Sequence, residues 1–330
     1  MLYLSIAVAA FFAILLLPSI PSAFEVLWPR DDVRLNVPEN YVRDPRYFGR
    51  SFRNKISAFV RVARNGRAPS EDLALTANLR TEEEARWSQD FAVLPGQRRR
   101  GIIVGDRVAV GAGAGIRDAY AIETLSVGAG TTARTLTSDG TLDVGENVRV
   151  LRWLDADGDV HVGRGTDLGL SASGGGAMVL ESGVQFDRVW GQPVRAHSEQ
   201  REFLELAERP GVQLVDRTAI APGKSPIIYG SARVVSGTHL PAHLKVHGDV
   251  YLEPNVSIAG NLIVRGDVHA AGRAVIGGHL FAEGAVTLGP RVEIGRAGSA
   301  KTLYATGKVA FSDANVVWGW VVSEHGGYVR

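Results

Sequence analysis

No cysteine occurs among the 330 residues, which excludes a disulfide scaffold, thiolate zinc sites and a Cys nucleophile. No charge surplus exists either. The 36 Lys and Arg against 35 Asp and Glu leave a net charge of +1, so no global attraction to nucleic acid is expected and an electrostatic role must come from a local patch. No charged side chain precedes Glu25, and the run from Met1 to Leu17 is apolar apart from Ser5, with Pro18 and Pro21 closing it. A secretory signal wants Lys or Arg before such a run, and Pro21-Ser22-Ala23 is a poor cleavage site. Residues 1–21 therefore read as a transmembrane anchor helix at the short end of the spanning range, with a cleaved signal as the alternative. Glycine is scarce at first. Gly49, Gly66 and Gly96 are the glycines of the first hundred residues, out of 39 in the chain.

Charge is present locally. From Arg30 to Arg67 there are 10 basic and 4 acidic residues, all after the apolar run. The positive-inside rule then places the bulk of the chain in the cytoplasm, on a single-pass protein of the inner membrane. Within this basic juxtamembrane segment, residues 22–70, Phe48, Phe52, Ile56, Phe59 and Ala63 recur at helical spacing. Arg50, Arg53, Lys55, Arg61 and Arg64 lie elsewhere on the turn. Two readings follow: a helix on anionic lipid, with about 1 kcal/mol from each basic side chain, or a helix packed on the domain that follows.

From Leu244 onward every sixth residue is aliphatic: Leu244, Val250, Val256, Leu262, Val268, Ala274, Leu280, Val286 and Val292. A second series runs two residues behind: Val246, Leu252, Ile258, Val264, Ala270, Ile276, Ala282, Leu288 and Ile294. The fifth place of each hexad is Gly or Pro, from Gly248 to Pro290. Alternate residues of a strand point the same way, so both series face inward and the Gly or Pro turns a corner. Three corners close a triangle of about 18 residues, and successive coils stack at the ~4.8 Å spacing of paired strands. An α-helix would scatter these positions over three faces. The expected fold is mainly β, a triangular β-solenoid, with short amphipathic helices before and within it.

A lone coil is unstable. Ordering its backbone costs roughly 18 to 36 kcal/mol, and six buried aliphatic side chains return only about 9 to 18 kcal/mol. Coils must stack, and each end of the stack leaves unpaired backbone to be covered or used. A looser form of the period, Leu136, Leu142, Val148, Leu154 and Val160, makes residues 71–196 a β-rich, partly solenoidal region with hairpin excursions. Residues 197–230 read as a helical connector. Ser198 offers an N-cap, Phe203, Leu204 and Ala207 an apolar side, and Pro210-Gly211 a stop. Phe311, Trp318 and Trp320 in the segment 311–330 lie just past the regular repeat, as a cap over the last coil or as its adhesive end.

The stretch from Gly248 to Gly295, GDVYLEPNVSIAGNLIVRGDVHAAGRAVIGGHLFAEGAVTLGPRVEIG, resembles the bactofilins, bacterial polymer-forming cytoskeletal proteins. The resemblance covers residues 231–310, and its motif is the pattern of alternating aliphatics with Gly corners. It implies a right-handed β-helix that polymerises end to end without nucleotide or other cofactor, is often attached to the membrane, and serves as a scaffold for envelope or wall-remodelling proteins. This chain differs from a typical member in its long N-terminal half and its hydrophobic anchor.

Chemistry has weaker signals. Hexad solenoids also carry acyltransferase and zinc sites built from histidines, and the candidates are His243, His247, His269 and His279. His243 and His279 lie two coils apart, about 10 Å, too far for one metal, and all four read as outward, solvated side chains. Asp155, Asp157 and Asp159 resemble the start of a calcium loop, but Val160 holds the sixth position and no Glu the twelfth; an Asp-Gly hairpin turn explains the same residues. Ala221 to Ser225 ends like a phosphate loop without its first glycine and reads as a turn. The expectation is a membrane-anchored, non-catalytic scaffold whose partners are itself, as a homopolymer, the membrane lipid, and envelope or cell-wall proteins, but no nucleic acid. The solenoid core is assigned to Leu244, Val250, Val256, Ile258, Leu262, Val264, Val268, Ile276, Leu280, Val286, Leu288, Val292 and Ile294. The alternatives are an exported parallel β-helix enzyme acting on polysaccharide and a tethered binding module that never polymerises.

Overall fold

The structure, a computed structural model, describes residues 44–65, 85–199, 212–215 and 225–330. The anchor, residues 1–21, and Ala221 to Lys224 of the phosphate-loop-like stretch lie outside the described residues. So does most of the expected connector helix. No helix among the described residues is long and apolar enough to cross a membrane.

The hexad repeat winds as its spacing dictates. Leu244, Leu262 and Leu280 stand side by side in one parallel ladder, Val250, Val268 and Val286 in a second, and Ile258, Ile276 and Ile294 in a third. Each step is one 18-residue coil, and every position of both aliphatic series is buried. From Leu244 onward the regular step lengthens once. Leu280 pairs with Leu303, because the turn around Gly295 to Ala300 inserts extra residues between coils. The solenoid also begins before residue 231. Gln213–Val215 and Ile227–Ile228, inside the stretch read as a helical connector, are strands that pair with Ala232–Val234 and Lys245–Val246.

Residues 85–196 form a second set of coils, so the described residues make a mainly β solenoid of about 12 turns with one helix. The hairpin excursions expected here do not occur: the strands of this half pair with one another in parallel throughout. Asp157-Gly158 is a coil corner and not a hairpin turn, since Arg149–Ala156 and Val160–Val162 each pair with the coils before and after them and not with each other. The hexad is blurred because the early coils step by 17 residues, as in Arg98, Gly115, Thr132 and Arg149. Their corner glycine also sits elsewhere. Gly113, Gly130, Gly165 and Gly183 take φ of 65 to 78° and Asn147 takes 54°, the left-handed region where glycine is cheapest and asparagine is tolerated.

The two halves meet at their last coils. The long strand Asn315–Val329 runs antiparallel to Gln185–Ala196, with Val321 opposite Val189 and Trp320 opposite Trp190. Val189 also pairs with Ala172, and Val321 with Leu303, so one sheet continues across the seam from the first half into the second. A single hydrophobic core runs through both.

An 18-residue helix, α1, Tyr47–Arg64, precedes the solenoid. Its apolar side, Phe52, Ile56, Phe59 and Ala63, is buried against Ile102, Val104 and Tyr120 on the outer face of the first half. Of the two readings of its periodicity, packing on the following domain accounts for this face.

Candidate assembly surfaces

A solenoid can act through its corners, its faces and its ends. At the corners, a side chain of one coil accepts the backbone N–H of the residue one coil later. Asp249 Oδ1 accepts from Asp267 N (3.0 Å) and Asp267 Oδ1 from Ala285 N (2.8 Å). On a second edge His243 Nδ1 accepts from Asn261 N (2.8 Å), Asn261 Oδ1 from His279 N (2.9 Å), and His279 Nδ1 from Thr302 N (3.0 Å). These ladders explain the corner glycines better than turning does: a Cβ on Gly266 would fall on Asp249 Oδ1, and one on Gly278 on Asn261 Oδ1. The four histidines lie on the outside of the coils, His243 exposed and the others half-buried, and each has a partner there. His243 and His279 are structural acceptors, while His269 stacks on Tyr251 and His247 lies tilted against Tyr229, with ring centroids 5.1 and 4.9 Å apart. Among the described residues no three His, Asp or Glu side chains converge on one metal position.

The acceptor role makes His279 sensitive to acid. Burial, assisted by the charge of Lys301, holds its pKa below the ordinary value of 6.5. The folded ring therefore resists protonation more than the unfolded one, so its contribution to stability is complete above pH ~6.5 and declines as pH falls through the lowered folded value. The protonated ring can no longer accept from Thr302. Changing His279→Asn supplies the oxygen that Asn261 supplies one coil earlier. It should flatten the dependence of chemical denaturation midpoint on pH between 7 and 5, with an effect of about 1 kcal/mol; an unaltered slope would remove His279 as its source.

On the face that carries α1, charge joins packing. Asp155, with 0% exposure, receives Arg46 Nε at 3.0 Å and a second Arg46 nitrogen at 2.9 Å, together with Arg53 and Ser173 Oγ. Arg53 Nε also donates to Asp139 (2.6 Å), which accepts from the Tyr120 hydroxyl, and Arg46 reaches Asp157. Burial opposes the Arg46 charge, but the hydrogen bonds and charges of Asp155 and Asp157 outweigh it and raise its pKa further. Burial and the Asp139 carboxylate likewise raise that of Tyr120. Asp155 and Asp157 thus hold a helix and resemble a calcium loop only in sequence. Arg53 faces these carboxylates and does not belong to a lipid-facing set. Arg50 and Arg61 are exposed and Lys55 is half-buried.

Every residue assigned to the core is buried, from Leu244 to Ile294. Phe311 is buried at the seam, 5.7 Å from Phe186 between ring centroids. Trp320 lies on the outer face of the seam beside Trp190, and Trp318 Nε1 donates to Glu293 at 2.9 Å. The segment 311–330 therefore covers the last regular coil, pairing with Glu293–Ile294, Lys301–Ala305 and Val309–Phe311, and joins it to the first half of its own chain. Beside it a cleft of about 580 Å³ is lined by Asp167, Asp187, Gln185, Lys308, His325 and Tyr328. It lies at a register shift of the seam, where Ser323 to Gly326 stand opposite Asp187 alone. Burial and the neighbouring Asp167 raise the pKa of Asp187 above the usual carboxylate value.

The outer ends of the stack are the first coils of the two halves. Among the described residues, Ala85–Trp87 pairs only with Ile102–Val104, and Gln213–Val215 only with Ala232–Val234. Gln213 N–H and the Val215 carbonyl bond to the next coil, so Leu214 presents its backbone to the open edge. Leu214, Ile227 and Tyr229, at this end, are 69%, 53% and 73% exposed. No family model, curated protein or solved structure matches the chain.

Proposed function

We propose that this chain is a membrane-anchored, non-catalytic scaffold of the bactofilin type that polymerises by stacking solenoid ends. The observation that carries the reading is the seam. Both last coils are consumed inside the chain, so among the described residues the backbone edges left for assembly are the two first coils, one from each half. Stacking on such an edge continues a parallel or antiparallel ladder at one hydrogen-bonding group after another and needs no nucleotide. The apolar N-terminal run supplies the anchor, and the basic segment behind it holds the solenoid at the cytoplasmic surface of the inner membrane. There, Arg50, Lys55 and Arg61 on the outer side of α1 face anionic lipid. The right-handed winding is that of the family the repeat resembles, and the recruited partners are envelope or cell-wall proteins.

The test is electron microscopy and sedimentation of the full chain in lipid nanodiscs or detergent, with Leu214→Pro as the decisive variant. Proline removes an N–H from the open edge while leaving the bonds of Gln213 and Val215 in place. The expected result is filaments for the parent chain and short or no filaments for Leu214→Pro, at unchanged thermal stability. Monodisperse particles from the parent chain at all concentrations would reject the scaffold reading.

A further inference from the structure

The open end of the first half carries cations at places that later coils give to the core. Arg99 stands in register with Ile116, Ile116 with Ala133 and Ala133 with Val150, and the last three are buried. Members of a parallel ladder point the same way, so the half-buried Arg99 heads an inward row. Arg86 does the same beside it, ahead of the buried Ile103, Ala119 and Leu136. From Arg99 to Ile102 the strand takes three steps while its partner, Ile116 to Asp118, takes two, a bulge that re-aims the side chains around it. The result is a cleft of about 210 Å³, with Phe91 and Ile103 as its apolar part and Arg86, Arg98, Arg99 and Arg100 as its cationic part.

Other arginines of this half meet acids. Arg53 reaches Asp139, Arg107 reaches Asp90 and Arg134 reaches Asp118. Among the described residues no ion pair involves Arg98, Arg99 or Arg100, and Arg99 Nε is buried there with no hydrogen-bond partner. An N–H withdrawn from water without an acceptor is destabilising, and a guanidinium cannot shed its proton to escape that cost. An anion brought from outside removes it. The cleft has the volume of about seven waters at ~30 Å³ each, room for a phosphoryl group and what it is attached to. Guanidinium forks match phosphate oxygens two at a time, and three forks offer more donors than the two oxygens of a carboxylate accept.

We infer that this cleft binds a phosphate-bearing anion, its terminal oxygens held by Arg98, Arg99 and Arg100 and the rest of the ligand against Phe91. The inference goes beyond the scaffold reading and does not depend on it. Its test reads ligand binding, not polymerisation, so either can fail alone.

The probe is inorganic pyrophosphate, titrated by calorimetry into the full chain in phosphatidylcholine nanodiscs and phosphate-free buffer. Saturable binding is expected. Arg99→Ala should weaken it at least about tenfold, and Arg99→Lys, which keeps the charge and loses the fork, several-fold. Arg265→Ala removes an exposed cation of the second half and should leave binding unchanged. Because leucine continues the row that Arg99 heads, Arg99→Leu should abolish binding with thermal stability kept, which separates loss of the site from loss of the fold. Nanodiscs that also contain phosphatidylglycerol, at a salt concentration that screens their surface, assign the source of the phosphate. Exclusion of pyrophosphate there means that a lipid headgroup fills the cleft, and unchanged binding means a soluble phosphate compound. No binding to the parent chain, or an equal loss in Arg265→Ala, overturns the inference. So does binding that appears only with Glu82→Gln, Glu83→Gln and Glu84→Gln together, since the arginines would then serve acids of their own chain, which lie outside the described residues. Increased self-association of Arg99→Leu without pyrophosphate binding by the parent chain also overturns it, and makes the cations a guard of the open edge.

Discussion

Ile258→Asp is expected to cost about 4 to 6 kcal/mol, the sum of a lost buried aliphatic side chain and a carboxyl group with no partner. Ile258 has 0% exposure and stands between Leu240 and Ile276 in the third ladder, so the introduced group meets only hydrocarbon. Burial penalises its charge, raising the folded pKa above the unfolded value of about 3.9. The folded state then holds the proton longer, and the destabilisation grows as pH rises from 4 to 7. Because each coil is supported by its neighbours, the damage should split the transition: coils around residues 212–258 melt first, and those near the seam later. Calorimetry with hydrogen exchange reads both effects. Ile263→Asp, five residues on but facing outward, is the control and should stay within about 0.5 kcal/mol of the parent chain. Equal melting of the two variants would contradict the inward assignment of the second aliphatic series.

That contrast shows why the second half was legible in the sequence. Inward and outward places are fixed by a strict period, and every coil from Leu244 to Ile294 has the same length, so one register error would have exposed the whole series. The first half obeys the same physics with coils of 17 as well as 18 residues, and a drifting period erases a fixed-step pattern while leaving the ladders intact. The corner ladders carried a signal that hexad counting does not use: Ser231, Asp249 and Asp267, or His243, Asn261 and His279, recur every 18 residues as short polar acceptors. The seam carried none. Asn315–Val329 buries alternate side chains over most of its length as any strand of the stack does, and its antiparallel partner lies over a hundred residues earlier. Nothing local in Val316 to Val322 distinguishes pairing within the chain from pairing with another copy. The apolar face of α1 was legible from its spacing, but its destination was not. Lipid and a solenoid face both accept Phe52, Ile56 and Phe59, and what decides is the set of carboxylates that meets Arg46 and Arg53.

Those carboxylates set the second large effect. Arg46→Ala with Arg53→Ala leaves Asp155 buried beneath α1 with Ser173 as its remaining donor among those described above. Removing the cations from a buried ion pair costs about 3 to 5 kcal/mol. The helix opposes release with Phe52, Ile56 and Phe59, at an upper bound of about 1.5 to 3 kcal/mol each. The two sums are comparable, so the double variant should sit near the balance point and α1 should open for a substantial fraction of the time, hydrating Asp155. Opening is expected as loss of hydrogen-exchange protection across Tyr47–Arg64 and as new protease cleavage within it, while the solenoid keeps its β signal. Adding Asp155→Ala to the double variant removes the stranded charge and should restore much of the protection, because hydrophobic docking then faces no unpaired carboxylate. If the triple variant opens as readily as the double, the arginines hold α1 by contacts other than the Asp155 pair. If the double variant stays fully protected, burial of the three apolar side chains suffices and the ion-pair cluster serves only to orient the helix.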